Sequence, residues 1–370
     1  MLRRVHRFTG ALVAVAAVAA LPPSAHAARV STVASGLEIP WEIAFLPSGD
    51  ALVTERRGRV RLLTAAGHLR RSPLAFVAVS ARGEGGLLGL AVDPGFARNR
   101  FVYLYFTTGA GMRLQRYRFA RRRLVREASL IDGIAAGPVH DSGRIAFGPD
   151  RRLYVSTGDA GQPQLAQDAE SLNGKFLALT PGQYRGDRAV RPQIVALGLR
   201  NPQGFDWQPG SGRMYATDHG PSGFDGPEGW DEVNAIVPGA NYGWPRVFGA
   251  DQRPYVAPVR LYPEPLAPSG ATFVTHGAWR GDFVFACLRG QQLRRLQLRD
   301  GQVVGDVPML AGRYGRLRTV VNAPDGSLYA LTSNRDGRGT PRAGDDRILR
   351  IQPLGRHGDR AARRRLLPPT

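Results

Sequence analysis

Cysteine is all but missing from this chain: of 370 residues only Cys287 carries a thiol. No internal disulfide can form, so stability must come from core burial, helped or not by a metal. Within Phe283-Val284-Phe285-Ala286-Cys287-Leu288 the thiol reads as a small buried hydrophobe. Lysine is equally scarce, with Lys175 alone against a uniform use of arginine that reads as genome codon bias as much as function. Beyond the N-terminus no run is long and apolar enough to be transmembrane. A strict glycine period is also lacking, which excludes a collagen-like fibre, and 43% hydrophobic residues exclude wholesale disorder. What is abundant is punctuation. The 46 Gly and 28 Pro favour many short strands and turns over long helices.

Acidic residues are outnumbered, giving a formal charge of +20. Residues 1–27 read as a cleaved signal peptide: a basic segment with Arg3, Arg4 and Arg7, an apolar stretch from Thr9 to Leu21, and the small-x-small site Ala25-His26-Ala27. The mature chain is then expected in a periplasm or outside the cell. Without those three arginines the charge is +17, and without the five arginines and one aspartate of the tail 356–370 it is +13. That tail reads as basic and disordered. A basic body favours anionic ligands or membrane surfaces. Nucleic acid is not expected as a partner, since no basic stripe interleaved with aromatics is present.

Residues 28–355 contain one strand unit six times. First strands begin at Trp41-Glu42-Ile43-Ala44-Phe45, Leu88-Gly89-Leu90-Ala91-Val92, Gly143-Arg144-Ile145-Ala146-Phe147, Gly204-Phe205-Asp206-Trp207, Gly270-Ala271-Thr272-Phe273-Val274 and Leu317-Arg318-Thr319-Val320-Val321. The fifth copy is the most degenerate. After a turn, an alternating second strand follows each, as in Leu153-Tyr154-Val155-Ser156-Thr157 and Leu328-Tyr329-Ala330-Leu331-Thr332. The mean period, roughly 55 residues, lies near the kelch end of propeller repeats. An all-β, six-bladed β-propeller is therefore predicted, over a β-sandwich or β-helix, with helix confined to the neighbourhood of Leu165–Leu172.

Loops preceding the first strands of a propeller converge at one mouth of its channel. Here they carry Glu84, His140, Arg200-Asn201 and Arg316-x-Arg318, bringing an acid, an imidazole and guanidiniums together. His140 suits proton abstraction near neutral pH if a carboxylate orients the ring, and Asp159, at the far end of the following strand pair, is placed to return to it. On spacing alone, a surface histidine and an ordinary turn aspartate remain the alternative. Gly83–Gly89 invites a dinucleotide reading, but no clear strand precedes it and Pro94 would stop a helix. No Gly-x-Ser-x-Gly elbow supports a nucleophilic hydrolase. Asp218-His219-Gly220-Pro221, Asp231-Glu232-Val233-Asn234 and Asn241-Tyr242-Gly243-Trp244-Pro245 are rich in oxygen ligands and turns, suited to Ca²⁺ or to a solvated glycine-rich loop.

Taken together, Gly83-Glu84-Gly85-Gly86-Leu87-Leu88-Gly89, His140-x-Ser142-Gly143-Arg144, Gly158-Asp159, Arg200-Asn201-Pro202-Gln203-Gly204, Gly220-Pro221, Asp231-Glu232 and Asn241-Tyr242-Gly243-Trp244-Pro245 resemble one family. It is that of the soluble pyrroloquinoline quinone (PQQ)-dependent aldose sugar dehydrogenases, the glucose/sorbosone dehydrogenase family. The match runs from about Gly36 to Gln352. The resemblance implies a six-bladed propeller that oxidises aldoses at C1 to lactones, with an external electron acceptor. It implies His140 as general base oriented by Asp159, and Arg200 polarising the quinone carbonyl. Asn201, Arg316 and Arg318 are implied as cofactor contacts, and Glu84 as a substrate neighbour. The carbonyls of Gly220 and Pro221 would hold a Ca²⁺ at the cofactor, and Glu232 with the Tyr242 backbone a second one. Where some relatives have a cofactor lysine, this chain has Arg289, which keeps the charge but not the geometry. Two other readings compete: a calcium-dependent propeller hydrolase of lactonase type, which does not need Arg316 and Arg318, and a non-catalytic propeller that binds sugars or proteins.

Overall fold

The computed structural model describes residues 28–354. Both the expected leader and the expected tail lie outside that range. Twenty-four strands form six four-stranded antiparallel sheets, five of them running outward in chain order from the innermost strand. Blade one is Pro40–Phe45, Ala51–Glu55, Arg59–Leu63 and Ala75–Phe76, and blade two is Leu87–Val92, Phe101–Thr108, Gly111–Ala120 and Arg123–Ile134. Blade three is Ile145–Phe147, Leu153–Thr157, Lys175–Leu179 and Gln193–Leu197. Blade four is Pro202–Trp207, Met214–Asp218, Asp231–Ile236 and Arg260–Tyr262. Blade five is Pro268–Phe273, Phe283–Cys287, Gln292–Arg299 and Gln302–Met309. Each innermost strand coincides with one of the six first strands read from the sequence.

Blade six is built from both ends of the described chain. Leu317–Asn322, Leu328–Thr332 and Ile348–Pro353 supply three strands, and Ala28–Ala34 adds the fourth, Val30 opposite Ile351. This pairing closes the ring and covers an edge that would otherwise expose unpaired N–H and C=O groups. Blade five, degenerate in sequence, is structurally complete, because the continuous apolar run Phe283-Val284-Phe285 is buried on both of its faces.

The core is divided among the junctions between neighbouring blades. Tyr103, Leu114, Val155 and Leu177 pack blade two on blade three, for example, and Val284, Leu293, Val320 and Leu349 pack blade five on blade six. Burying each such side chain stabilises by about 1.5–3 kcal/mol. Cys287 is fully buried in one of these junctions, and burial pushes its thiol pKa well up.

The helix expected at Leu165–Leu172 is not formed. A single 3₁₀ turn, Pro163–Ala166, stands there. Beyond it, side chains cap the backbone locally instead: Asp168 accepts from the Glu170 N–H at 2.8 Å and Ser171 from that of Asn173 at 3.1 Å. In five blades the ladder between first and second strands shifts register near its start, as between Pro202 and Gly204. Such bulges twist strand ends and re-aim their side chains, here at one mouth of the channel.

Candidate active site

A cavity of about 320 Å³ opens at that mouth, and its wall includes Glu84, His140, Arg200, Asn201, Arg289, Arg316 and Arg318. All seven of these positions were singled out in the sequence. Asp159 stands directly behind the wall, its Oδ1 2.7 Å from His140 Nδ1. Its own N–H donates to the Arg200 carbonyl at 2.9 Å, so the segment after the second strand of blade three is wedged between the His140 and Arg200 loops. Gly158 makes this wedge fit, for a Cβ there would overlap the His140 carbonyl.

Asp159 is fully buried and fully used. Oδ1 also accepts the Gly161 N–H at 2.8 Å, and Oδ2 accepts the Trp244 indole N–H at 2.8 Å. Against a carboxylate, His140 Nδ1 acts as donor, which leaves Nε2 as the basic nitrogen available to the cavity. His140 itself sits at φ 61°, held there by its N–H donating to Glu84 Oε2 at 3.0 Å. The other Glu84 oxygen pairs with Arg338. Burial alone would raise the Glu84 pKa, but Arg338, with His219 and His140, brings it down to about 2, so it is a carboxylate at any working pH.

Arg200 is buried between Trp244 and Phe224, its guanidinium carbon 5.3 and 5.9 Å from the ring centroids. Nε donates to Asp225 at 2.7 Å and Nη2 to Ser222 at 2.9 Å, while Nη1 is buried without a partner among the described residues. Asn201 Oδ1 accepts the Ser142 N–H at 3.0 Å, locking two loops together, and its Nδ2 is likewise unpartnered. On the opposite wall Arg316 Nε pairs with Asp336 at 2.9 Å, and Arg318 Nη1 donates to Gln203 at 2.7 Å. Arg318 Nε has no partner among the described residues, and burial with the nearby Arg316 holds its pKa down to about 10 despite the pull of Asp336. Arg289 differs from these: it is half exposed and already paired with Glu228.

Gly220, Pro221, Glu232 and Tyr242 line a separate space of about 10 Å³ beside Arg200, room for one water or small ion. Asp218 lines it too. Burial and the charge of Glu232 push the Asp218 pKa up to about 8, and burial lifts that of Glu232 to about 7. Two carboxylates buried close together are the electrostatic condition that a divalent ion relieves. Among the described residues no cluster of three or more His, Cys, Asp or Glu side chains could hold a metal. An ion here would depend on backbone carbonyls beside these acids, a hard-oxygen set that suits Ca²⁺. The Pro221 carbonyl already accepts the Gly229 N–H at 3.0 Å and keeps its second lone pair.

Several wall residues were not assigned to this mouth from the sequence: Arg56, Phe224, Asp336 and Arg338 were not marked, and His219 only within the Asp218–Pro221 stretch. One signal could have found most of them. A second strand runs antiparallel to the first and ends at the mouth where the first began, so the residues after it face the same site. That rule yielded Asp159, and applied to blades one, four and six it yields Arg56, His219, and Asp336 with Arg338. Phe224 lies further along the loop after blade four's second strand, stacked on the His140 ring at 5.7 Å, and nothing in the repeat marks it. The Gly83–Gly89 run proves to be a packing device. A Cβ on Gly83 would overlap the Pro138 carbonyl, and one on Gly86 the Arg56 carbonyl.

Against known proteins, residues 37–349 match the family described as Glucose / Sorbosone dehydrogenase. The PQQ-bound aldose sugar dehydrogenase of Streptomyces coelicolor superposes with a TM-score of 0.79 at 37% identity, covering 90% of this chain and 99% of that one. A Thermus thermophilus protein provisionally assigned as an oxidoreductase (glucose dehydrogenase) superposes at 0.80 with 47% identity, covering 88% and 100%. The aldose sugar dehydrogenase of Escherichia coli strain K12 is 28% identical over 349 residues, 84% of this chain and 91% of its own.

Proposed function

Because this chain belongs to the glucose/sorbosone dehydrogenase family, and is thereby an oxidoreductase of the sugar dehydrogenase type, we propose that it oxidises aldoses at C1 to lactones with PQQ and Ca²⁺. The observation that carries the reading is the His140–Asp159 pair at 2.7 Å, with the free ring nitrogen on a cavity walled by Arg200, Arg316 and Arg318.

The residues suit the cofactor. PQQ is a planar tricarboxylate, and the buried, unpartnered donors Arg200 Nη1, Asn201 Nδ2 and Arg318 Nε all belong to this wall. Unmet donors of this kind cost free energy until an acceptor arrives. Arg316, Arg318 and Asn201 would hold the group, with Arg289 contributing from the rim. The chemistry supplied by the bound cofactor is hydride acceptance at its quinone.

Everything else falls to the chain. His140 Nε2 takes the proton of the anomeric hydroxyl, and Asp159 holds the ring in the tautomer that leaves Nε2 basic and then faces the imidazolium. Arg200, fixed by Asp225 and Ser222, presents Nη1 where negative charge would develop. Glu84, kept ionised, accepts hydrogen bonds from sugar hydroxyls while fixing the His140 backbone. Gly220 and Pro221 would supply carbonyls to a cofactor-side Ca²⁺, and Glu232 and Tyr242 to a second, structural one. Export by the leader 1–27 belongs to the same reading. Among the described residues, no helix is long and apolar enough to cross a membrane.

The test is dye reduction by the purified mature chain, reconstituted with Ca²⁺ and PQQ, against a panel of aldoses. A rate that needs sugar, PQQ and calcium together is expected. A chain that neither binds PQQ nor reduces dye would overturn the reading in favour of a binding scaffold or a hydrolase.

A further inference from the structure

Arg56 stands apart from the other guanidiniums of the mouth. Arg200 is met by Asp225, Arg289 by Glu228, Arg338 by Glu84 and Arg316 by Asp336, while Arg318 donates to Gln203. The Arg56 side chain makes no hydrogen bond or ion pair with the described residues, and its Nε is buried without a partner. Both carboxylates whose charge reaches it are spoken for. Asp336 accepts from Arg316, from Ser333 Oγ at 3.2 Å and from the Arg338 N–H at 2.9 Å, and Glu84 accepts from Arg338 and the His140 N–H.

The backbone fixes where this side chain departs. The Arg56 N–H donates to the Ile39 carbonyl at 3.1 Å, and its own carbonyl accepts the Leu87 N–H at 2.8 Å. A Cβ on Gly86 would stand 2.8 Å from Arg56 Cγ, so the glycine run is what gives this side chain its passage into the cavity. Burial lowers the basicity of Arg56, and like charge on Arg338 and Arg57 adds to this against the pull of Asp336 and Glu84. A guanidinium with a buried, unmet N–H on the cavity wall is an incomplete anion site.

We propose that Arg56 is a further anion-recognising residue of this mouth, taking a carboxylate of the bound ligand through its guanidinium fork. Two sources could present that carboxylate: the tricarboxylate cofactor, where the assignment rests on the proposed function, or the terminal carboxylate of a uronic acid substrate, where it names the substrate class.

The experiment titrates the apo chain calorimetrically, in Ca²⁺, with PQQ, with glucuronate and with glucose as the uncharged control. Wild type, Arg56→Gln and Arg56→Lys are compared, with melting temperatures to verify folding. Losing one charge-assisted pair should raise the Kd of the carboxylate ligand about 10- to 100-fold in Arg56→Gln, with lysine recovering part of it. A rise for PQQ alone assigns Arg56 to the cofactor. A rise for glucuronate alone, with glucose unaffected, assigns it to an acidic substrate. Unchanged Kd values for both carboxylates in a folded Arg56→Gln overturn the proposal, and so does a wild-type chain that binds neither. Should glucuronate bind through Arg56 while wild type ignores PQQ, the proposed function falls and the role of Arg56 stands.

Discussion

Replacing Asp159 by asparagine probes the pair on which the chemistry depends, and the structure says why an isosteric change should be costly. Oδ1 accepts from His140 Nδ1 and the Gly161 N–H, and Oδ2 from the Trp244 indole. All three partners are donors, so an amide NH₂ has no place to go. Put on the Trp244 side, it faces an N–H and leaves two buried donors opposed. Put on the His140 side, it faces the Gly161 N–H and donates to Nδ1, which forces the ring proton onto Nε2 and removes the base. The first arrangement loses a buried hydrogen bond, about 1–3 kcal/mol of stability, and the second the general-base contribution, roughly 10²–10⁴ in kcat. Asp159→Asn should therefore bind PQQ within about twofold of wild type, since it lies behind the wall, while kcat for the best aldose falls by about 10² or more. Calorimetric PQQ titration and dye-reduction kinetics measure the two quantities. A variant with kcat within about threefold of wild type and an unchanged melting temperature would refute the argument, because neither arrangement of the amide would then carry its cost.

Other consequences follow from the same geometry. Burial raises the Asp141 pKa to about 6, against 3.8 ordinarily, despite hydrogen bonds from the Gly137 N–H and Thr107. The folded state thus holds this proton more tightly, so its contribution to stability is complete below pH about 4 and is lost as pH rises through about 6. Asp141→Asn, whose amide can accept from Gly137 and donate to Thr107, should be more stable than wild type at pH 7 by up to about 3 kcal/mol and should flatten that part of the pH–stability curve. Urea unfolding at pH 4 and 7 measures it, and an unchanged difference between the two pH values would contradict it. Calcium should raise the melting temperature of the wild-type chain and a chelator lower it, whereas Glu232→Gln should abolish most of the calcium-dependent shift. A full shift in that variant would remove Glu232 from the site. Arg289→Ala should weaken PQQ binding by no more than about threefold, because an exposed, already paired arginine contributes about 0–1 kcal/mol. A loss of a hundredfold would show that Arg289 abandons Glu228 for the cofactor.

Much of this molecule was legible in the chain before any coordinates. The period-two apolar strands, each opening after a loop and closing on a Pro/Asp/Gly turn, fix the secondary structure locally, and six copies leave few ways to bury every sheet face. Because repeats keep their phase, Glu84, His140, Arg200 and Arg316 had to meet at one mouth. Six of the cavity residues and Asp159 behind them follow from that phase and the hairpin rule, whereas Arg289 was marked by the family resemblance alone. Other features belong to the tertiary structure alone. That Ala28–Ala34 completes blade six is a pairing across more than 300 residues, which no local pattern encodes. That Glu84 is locked by Arg338, that Arg289 is spent on Glu228, and that Arg56 finds no partner among the described residues depend on which charged side chains lie within hydrogen-bond reach. Composition counts charges, and phase says which end of the ring they occupy. Only the packed loops decide which of them are neutralised at home and which remain free for a ligand, since that is set by distances of a few ångströms between residues remote in sequence.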